Sequence, residues 1–155
     1  MHFRLHALDD APFRPYYGRS ESELAALGAD LVIADAHPGF PCRVSLRDAE
    51  AGARMILLNH EYLCADSPYR GRHAIFVSDG ATTARPELDE VPDSIGRRLL
   101  SVRAFNARDR MVEADVCAGA DAAACFRRLL ALTGVVFLQA HTARQGCYLA
   151  RVVPQ

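Results

Sequence analysis

The chain has 155 residues, half of them hydrophobic and about a quarter charged, and this size and composition predict a single domain spanning residues 1–155. Its 18 basic and 19 acidic residues nearly cancel, so the net charge of −1 gives no reason to expect nucleic acid or an anionic membrane as a partner. Every basic residue is an arginine, which excludes catalysis through a Schiff-base lysine, a Walker lysine or a Ser–Lys pair.

The first half of the chain predicts several short strands and one short helix. Polar and apolar residues alternate over His2–Leu8, which is typical of a strand with one buried face. Ser20–Glu23 is a capping box and Gly28 is a suitable terminator, so we expect a helix between them. Further strands are predicted over Asp30–Asp35, Cys42–Leu46, Arg54–His60 and His73–Val77.

The second half predicts two strand pairs and the principal helix. The pairs are Leu99–Asn106 with Met111–Cys117, and Val135–His141 with Cys147–Val153. Asp121 is a good N-cap and Gly134 a good C′ residue for a helix over about 122–133. Because strands outnumber helices, we expect an α+β fold: an antiparallel or mixed β-sheet of about six to eight strands with this helix and one or two short helices.

The cysteine content and the N-terminus predict a cytoplasmic protein. Five cysteines are an odd number and lie far apart in the sequence, as expected for free thiols in a reducing compartment. The segment Met1–Asp10 lacks the apolar stretch of a signal peptide, and no segment approaches the about 20 apolar residues of a membrane helix. We therefore expect no membrane partner.

The turn of the last strand pair carries the sharpest chemical signal. His141 and Cys147 flank this turn, and Arg144 lies at its tip. A cysteine thiolate beside a histidine can act as a nucleophile with its base, while an arginine holds an anionic substrate. His141 and Cys147 are therefore the candidate catalytic residues, with no third orienting residue visible. The alternative is a half-buried cysteine beside a solvated arginine.

The loop before the His73–Val77 strand is the candidate ligand-binding segment. It sets two arginines, a tyrosine and a histidine beside a glycine, and such groups bind a carboxylate or a phosphate. The candidate ligand-binding residues are Tyr69, Arg70, Arg72 and His73 from this segment, with Arg103 and Arg144 from the later strand pairs. The alternative is a solvent-facing loop in which the arginines serve solubility.

Arg103 allows two interpretations. It lies on an alternating strand, and the facing strand carries Glu113 and Asp115. Arg103 either pairs with these carboxylates on a solvated sheet face or forms the floor of a polar cleft.

No motif for a metal, a cofactor or a nucleic acid is recognisable. His60 and Cys64 are four residues apart, a spacing that brings side chains together on a helix, but the segment is predicted to be a strand and a loop. The standard zinc spacings, the dinucleotide and Walker loops and the nucleophile elbow are all missing. We expect no metal, no cofactor and no nucleic-acid partner.

Two functions remain open from the residues. In the first, the chain is a small-molecule-binding domain for an anionic ligand, with or without enzymatic activity, whose arginines and histidines converge in one cleft. In the second, it is a non-catalytic interaction or oligomerisation module. An apolar strand such as Arg54–His60 or Val135–His141 would then lie at a sheet edge and pair with a second copy, giving a homodimer.

Three sequence blocks resemble one known family when they are taken together. The blocks are Pro38–Leu46, Ser67–Arg70 with His73–Val77, and Ala143–Arg144 with Gly146–Tyr148. They resemble the bacterial family named domain of unknown function 1203, over Phe3–Val153 of this chain. The resemblance implies one intact domain and a bacterial source, and it carries over no catalytic residues. Where family members often have a second histidine two residues before His141, this chain has Gln139.

Overall fold

The computed structural model describes residues 1–155. In chain order the strands are β1 (Phe3–His6), β2 (Ala29–Ile33), β3 (Arg54–Leu63), β4 (Gly71–Ser78), β5 (Leu99–Asn106), β6 (Met111–Ala118), β7 (Val135–Thr142) and β8 (Tyr148–Pro154). The α-helices are α1 (Glu21–Ala26), α2 (Asp93–Gly96) and α3 (Ala122–Leu130), and short 3-10 helices cover Ala11–Tyr16 and Gly119–Asp121. None of the helices combines the length and the apolar composition needed to span a bilayer.

The strands form two antiparallel sheets. The large sheet has five strands in the order β1-β8-β7-β5-β6, and the small sheet has three in the order β2-β3-β4. This confirms the predicted α+β class, the antiparallel pairing and the predicted number of strands, but the strands divide between two sheets. The principal helix ends at Leu130, and Gly134 adopts a φ of 84° in the turn that follows it.

One face of the large sheet forms an apolar core with α3. The helix buries Cys125, Phe126, Leu129 and Leu130, which recur at helical spacing and so lie on one side. Phe126 meets the ring of Phe3 from β1 edge-on, with 5.4 Å between ring centroids. The opposite face of the sheet is therefore free to pack against the small sheet.

The small sheet is extended at its β4 edge by an irregular segment. Cys42 forms a single parallel bridge with Phe76, and the N–H of Arg43 donates to the Phe76 carbonyl oxygen at 3.1 Å. The predicted strand over Cys42–Leu46 is thus reduced to a single bridge at Cys42, because the chain turns at Leu46 with a φ of 53°. This segment carries Arg43 towards the large sheet.

The two sheets meet through aromatic rings. Tyr62, near the end of β3, stacks on Tyr148 of β8 with 5.5 Å between centroids and an interplanar angle of 3°. It also meets the ring of His141 edge-on at 5.1 Å. Leu63, Phe105 and Phe137 form a separate small apolar cluster between the sheets. We call the contact of Tyr62, Tyr148 and His141 the sheet junction.

The pairing of β5 with β6 differs from the expected pairing at Arg103. A bulge between Ala104 and Phe105 shifts the register by one residue, which exchanges the two faces of β6. Arg103 therefore lies opposite Ala114, and Asp115 points towards α3, where it binds Arg128. Of the two interpretations of Arg103, the ion pair with the β6 carboxylates is wrong.

Candidate functional site

His141 lies at the sheet junction with no exposed surface. Its Nδ1 is 3.1 Å from the carbonyl oxygen of Gly146, and its Nε2 is 3.2 Å from the side-chain amide of Gln139. Burial, reinforced by the positive charge of Arg103, lowers the pKa of His141 to about 4, so the imidazole is neutral at pH 7.

A neutral imidazole has one N–H donor. Nδ1 faces the Gly146 carbonyl oxygen and Nε2 faces Oε1 of Gln139, whose NH₂ group lies 3.5 Å from the Tyr62 carbonyl oxygen, so the single N–H of His141 donates either to Gly146 or to Gln139. Both ring nitrogens are occupied within the protein. His141 therefore ties the turn of the last hairpin to the interior.

Arg43 is a buried cation beneath the same hairpin. Its Nε donates to the carbonyl oxygen of Tyr148 at 2.7 Å, and its Nη1 donates to that of Pro41 at 2.5 Å. Burial lowers the pKa of Arg43 to about 10, which still leaves the guanidinium protonated at neutral pH. The charged and ionisable groups that act on its pKa are Cys147, Arg98, Cys42 and Asp48.

An arginine-lined cleft opens at the tip of the last hairpin. It has a volume of about 430 Å³ and lies between the start of β5 and the turn after β7. Its lining residues are Gly39, Arg97, Arg98, Leu99, Thr142, Arg144 and Gln145. Three of these are arginines and none carries a carboxylate. We call this cleft the arginine groove.

Asp48 fixes one wall of the arginine groove from behind. Arg98 donates to both of its carboxylate oxygens, at 2.9 and 2.5 Å, and also to the carbonyl oxygen of Ser94. Arg97 lies 4.0 Å from the same carboxylate. Burial acts to raise the pKa of Asp48, but the hydrogen bonds and charge of Arg98, the Gly39 backbone and the charge of Arg97 together outweigh it, and the net pKa is lowered. Asp48 is therefore charged and neutralises one arginine.

The opposite wall comes from the hairpin turn. The N–H of Gly146 donates to the Thr142 carbonyl oxygen at 2.9 Å, and Gly146 adopts the left-handed φ of 74° that closes the turn. Arg144 at the tip is exposed and forms no ion pair, unlike Arg97 and Arg98. Its guanidinium is the free one in the groove.

Cys147 lies behind the arginine groove and does not line it. It is half-buried, and its N–H donates to the Thr142 hydroxyl oxygen at 3.1 Å. Because that oxygen acts as the acceptor, the Thr142 hydroxyl proton is free to bind a molecule in the groove.

The structure separates the predicted site residues into three groups. Arg144 lines the arginine groove, with Cys147 behind it. Arg103 and His73 do not line the groove, and their positive charges contribute to the lowered pKa of His141. Tyr69, Arg70 and Arg72 do not line the groove.

Each residue of that last group has a partner elsewhere. Arg70 donates to Glu61 at 2.5 Å, Arg72 donates to Asn59 at 2.7 Å, and Tyr69 meets the ring of Phe105 edge-on. The predicted binding loop therefore contacts β3 of the small sheet through its arginines and β5 of the large sheet through Tyr69, and the structure does not bring it to the hairpin tip.

Sequence reasoning missed most of the groove. The Arg97–Arg98 doublet is visible in the sequence, but nothing local connects it to Asp48 or to the hairpin. Arg98 and Asp48 are 50 residues apart, so only the folded chain brings them together. No group of three or more His, Cys, Asp or Glu side chains is arranged to hold a metal ion.

The sequence model of the family described as "Protein of unknown function (DUF1203)" matches residues 39–153. The chain belongs to the DUF1203 family. In this DUF1203 chain the match begins at Gly39, in the arginine groove, and ends in β8, so it includes every residue that lines the groove. No curated protein and no solved structure matched the chain.

Proposed function

We propose that this DUF1203 protein binds a small anionic molecule in the arginine groove. The observation that carries the proposal is that three guanidinium groups line the groove and no carboxylate does. Its volume of about 430 Å³ falls within the range of about 300–1,000 Å³ that is usual for small-molecule sites.

The charges around the groove support an anionic ligand. Arg97 and Arg98 both contact Asp48, whose charge also acts on Arg43, and Arg144 faces them without an acidic partner. Asp93 also contacts Arg97, but its carboxylate is 92% exposed, and water screens such a pair. Positive charge is therefore in excess, and an anion in the groove would balance it.

Directional donors accompany that charge. Arg144 offers a planar fork of N–H groups, which suits the paired oxygens of a carboxylate or a phosphate. The Thr142 hydroxyl and the Gln145 amide lie on the same wall and can donate as well. These groups would orient the ligand as well as attract it.

His141 is better suited to a structural role than to catalysis. Since both nitrogens of His141 are occupied and its ring is buried, it has no free atom to offer a ligand in the groove. A catalytic role for Cys147 stays a prediction, which activity of a Cys147→Ser variant would test once a substrate is known. We therefore place binding first.

The alternative of an oligomerisation module has less support. The two apolar strands that it named are β3 and β7, and both are central in their sheets. A cytoplasmic location and a bacterial source remain parts of our proposal. All five cysteines are free, as is usual in a reducing compartment, and the family resemblance favours bacteria.

Titration with sodium phosphate and with sodium citrate in a low-salt buffer tests the proposal, with ¹H–¹⁵N NMR as the readout. We expect saturable shifts of the amides of Thr142–Gly146 and Leu99 in the wild type. The variant Arg144→Gln should bind at least tenfold more weakly, since it loses charge-assisted hydrogen bonds.

Arg108→Gln is the matched control, because Arg108 is an exposed arginine in the β5–β6 turn and forms no ion pair. This variant should bind as the wild type does. Absence of saturable binding for both anions, or equal loss of affinity in both variants, would show that the groove is not an anion site.

A further inference from the structure

A second, larger cleft adjoins the arginine groove. It has a volume of about 640 Å³, and Arg97 lines both spaces. The turn before Gly39 joins them as well, since His37 lines the cleft and Gly39 lines the groove. The two spaces therefore lie on either side of Arg97, close enough for one ligand to occupy both.

The lining of this cleft differs in chemistry from that of the groove. Like the groove it is lined by three arginines (Arg47, Arg85 and Arg97), but unlike the groove it also has carboxylates, together with two serine hydroxyls: Ser45, Asp48, Glu50, Glu90, Asp93 and Ser94. Glu50 is the least engaged of the carboxylates, with 82% of its side chain exposed and only His37 nearby at 3.7 Å. Such a surface suits a group with hydroxyl or amine hydrogens to donate.

The charge in the groove suits a doubly charged anion better than a single carboxylate. Arg97, Arg98 and Arg144 line it with Arg43 behind, and the buried Asp48 neutralises one of these four charges. A phosphate monoester carries about −1.5 to −2 at pH 7 and three acceptor oxygens. A carboxylate group carries half that charge or little more, and would leave more of the positive charge unbalanced.

From these two spaces we infer a ligand class, and the inference rests on the proposed anion binding in the groove. The ligand is a phosphate monoester of a polyhydroxylated or amine-bearing small molecule. Its phosphate occupies the arginine groove, and its polar remainder crosses Arg97 into the larger cleft, where it donates hydrogen bonds to Glu50 and its neighbours.

Isothermal titration calorimetry with inorganic phosphate, glycerol 3-phosphate and glucosamine 6-phosphate tests this inference on the full chain. At least one ester should bind tenfold or more tightly than inorganic phosphate, because only the esters reach the cleft. Glu50→Ala should weaken ester binding about three- to tenfold while leaving inorganic phosphate unchanged. Glu21→Ala, which removes an exposed glutamate of α1 that forms no ion pair, is the matched control.

The outcomes separate the two proposals. If the esters bind no better than inorganic phosphate, or Glu50→Ala and Glu21→Ala behave alike, the ligand class is wrong while the groove stays an anion site. If neither phosphate nor the esters bind, and citrate does not bind either, the proposed function fails as well. Arg144→Gln should weaken phosphate and ester together.

Discussion

Asp48 lies behind the arginine groove and holds Arg98 in place in its wall. Its side chain is 1% exposed, and Arg98 occupies both of its oxygens. We expect Asp48→Asn to lower the free energy of unfolding by about 3 kcal/mol, because a largely buried guanidinium loses its counter-charge. Urea denaturation measures the loss, and Asp93→Asn, whose carboxylate is 92% exposed, should change stability little.

The same Asp48 variant should bind phosphate more tightly than the wild type. Without Asp48, Arg98 is released and the positive charge facing the groove increases by one. Affinity measured by calorimetry under conditions where the variant is folded should rise several-fold. An unchanged or weaker affinity would mean that Arg98 does not contribute to the site.

His141 makes stability depend on pH in a narrow window. The unfolded chain protonates this imidazole near its usual pKa of 6.5, whereas the folded chain resists protonation down to about 4. Below pH 6.5 the unfolded state binds more protons, so the free energy of unfolding falls by about 3 kcal/mol by pH 4. Urea unfolding between pH 7.5 and 4 should show this fall in the wild type and not in His141→Asn.

Asp89 also makes stability depend on pH, but only in more acidic solution. The hydrogen bond with His2 lowers the pKa of Asp89 to about 2, so its stabilising effect is present above its usual pKa of 3.8 and is lost only as the pH falls towards 2. The two groups therefore act in separate windows. Equal pH dependence of wild type and His141→Asn above pH 4 would contradict the assignment to His141.

At the scale of elements, β6 is an edge strand that is protected by its own side chains. The Glu113 carboxylate accepts from the N–H of Ala114 at 2.9 Å, and the Asp115 carboxylate accepts from that of Val116 at 2.7 Å. These bonds cover backbone donors that a second strand would otherwise need. Val112 and Val116 are about half exposed on one face of this strand, so protection of the edge matters.

We expect the double variant Glu113→Ala/Asp115→Ala to self-associate through β6, while the wild type does not pair through this strand. Light scattering after size exclusion at about 100 µM protein measures the mass. Glu21→Ala/Asp35→Ala removes the same charge from exposed positions and should leave the mass of the wild type unchanged. A double β6 variant with the mass of the wild type would contradict the protective role of these carboxylates.

Individual helices and strands are the features that the sequence predicted best, and the first wrong prediction also concerns one of them. The apolar stripe and the end residues of α3 are local signals, so both the helix and its buried face could be predicted. The bulge after Ala104 leaves no such signal, and it reversed the expected faces of β6. Local patterns cannot show the division into two sheets, because pairs such as β1 with β8 join the two ends of the chain.

The candidate site shows the same limit. Arg144 could be identified because a turn exposes it beside a glycine, and this is a local property. Asp48, Arg98 and Gly39 could not be connected to it, since they meet only when the segment beside β4 packs against the start of β5 and the hairpin tip. The Ser67–His73 segment has similar residue types, but Glu61 and Asn59 bind both of its arginines.

At the scale of the whole molecule, the two sheets are linked by specific contacts. Tyr62 of the small sheet stacks on Tyr148, and Arg43 donates to the Tyr148 carbonyl oxygen. We therefore expect a single cooperative transition in differential scanning calorimetry, with equal calorimetric and van't Hoff enthalpies. Two separable transitions in the wild type would contradict the prediction of one domain over residues 1–155.

Tyr62→Ala tests the sheet junction directly. Loss of the stacked ring should lower the free energy of unfolding by about 2 kcal/mol. For a chain of this size, that lowers the midpoint of the transition by about 5 °C. Tyr69→Ala removes a more exposed tyrosine from the neighbouring loop and should have a smaller effect. Equal shifts in both variants would mean that the junction contributes little to the union of the sheets.

The absence of lysine has a consequence for the groove as a whole. Its cations are all guanidinium groups, which stay protonated far above physiological pH, and none can be acetylated as a lysine can. The groove therefore resembles a strong anion-exchange resin: its positive charge is constant over the physiological pH range, and only the charge of the ligand varies with pH. A cell could regulate occupancy of such a site through the concentration and ionisation of the solute, but not by lysine acylation.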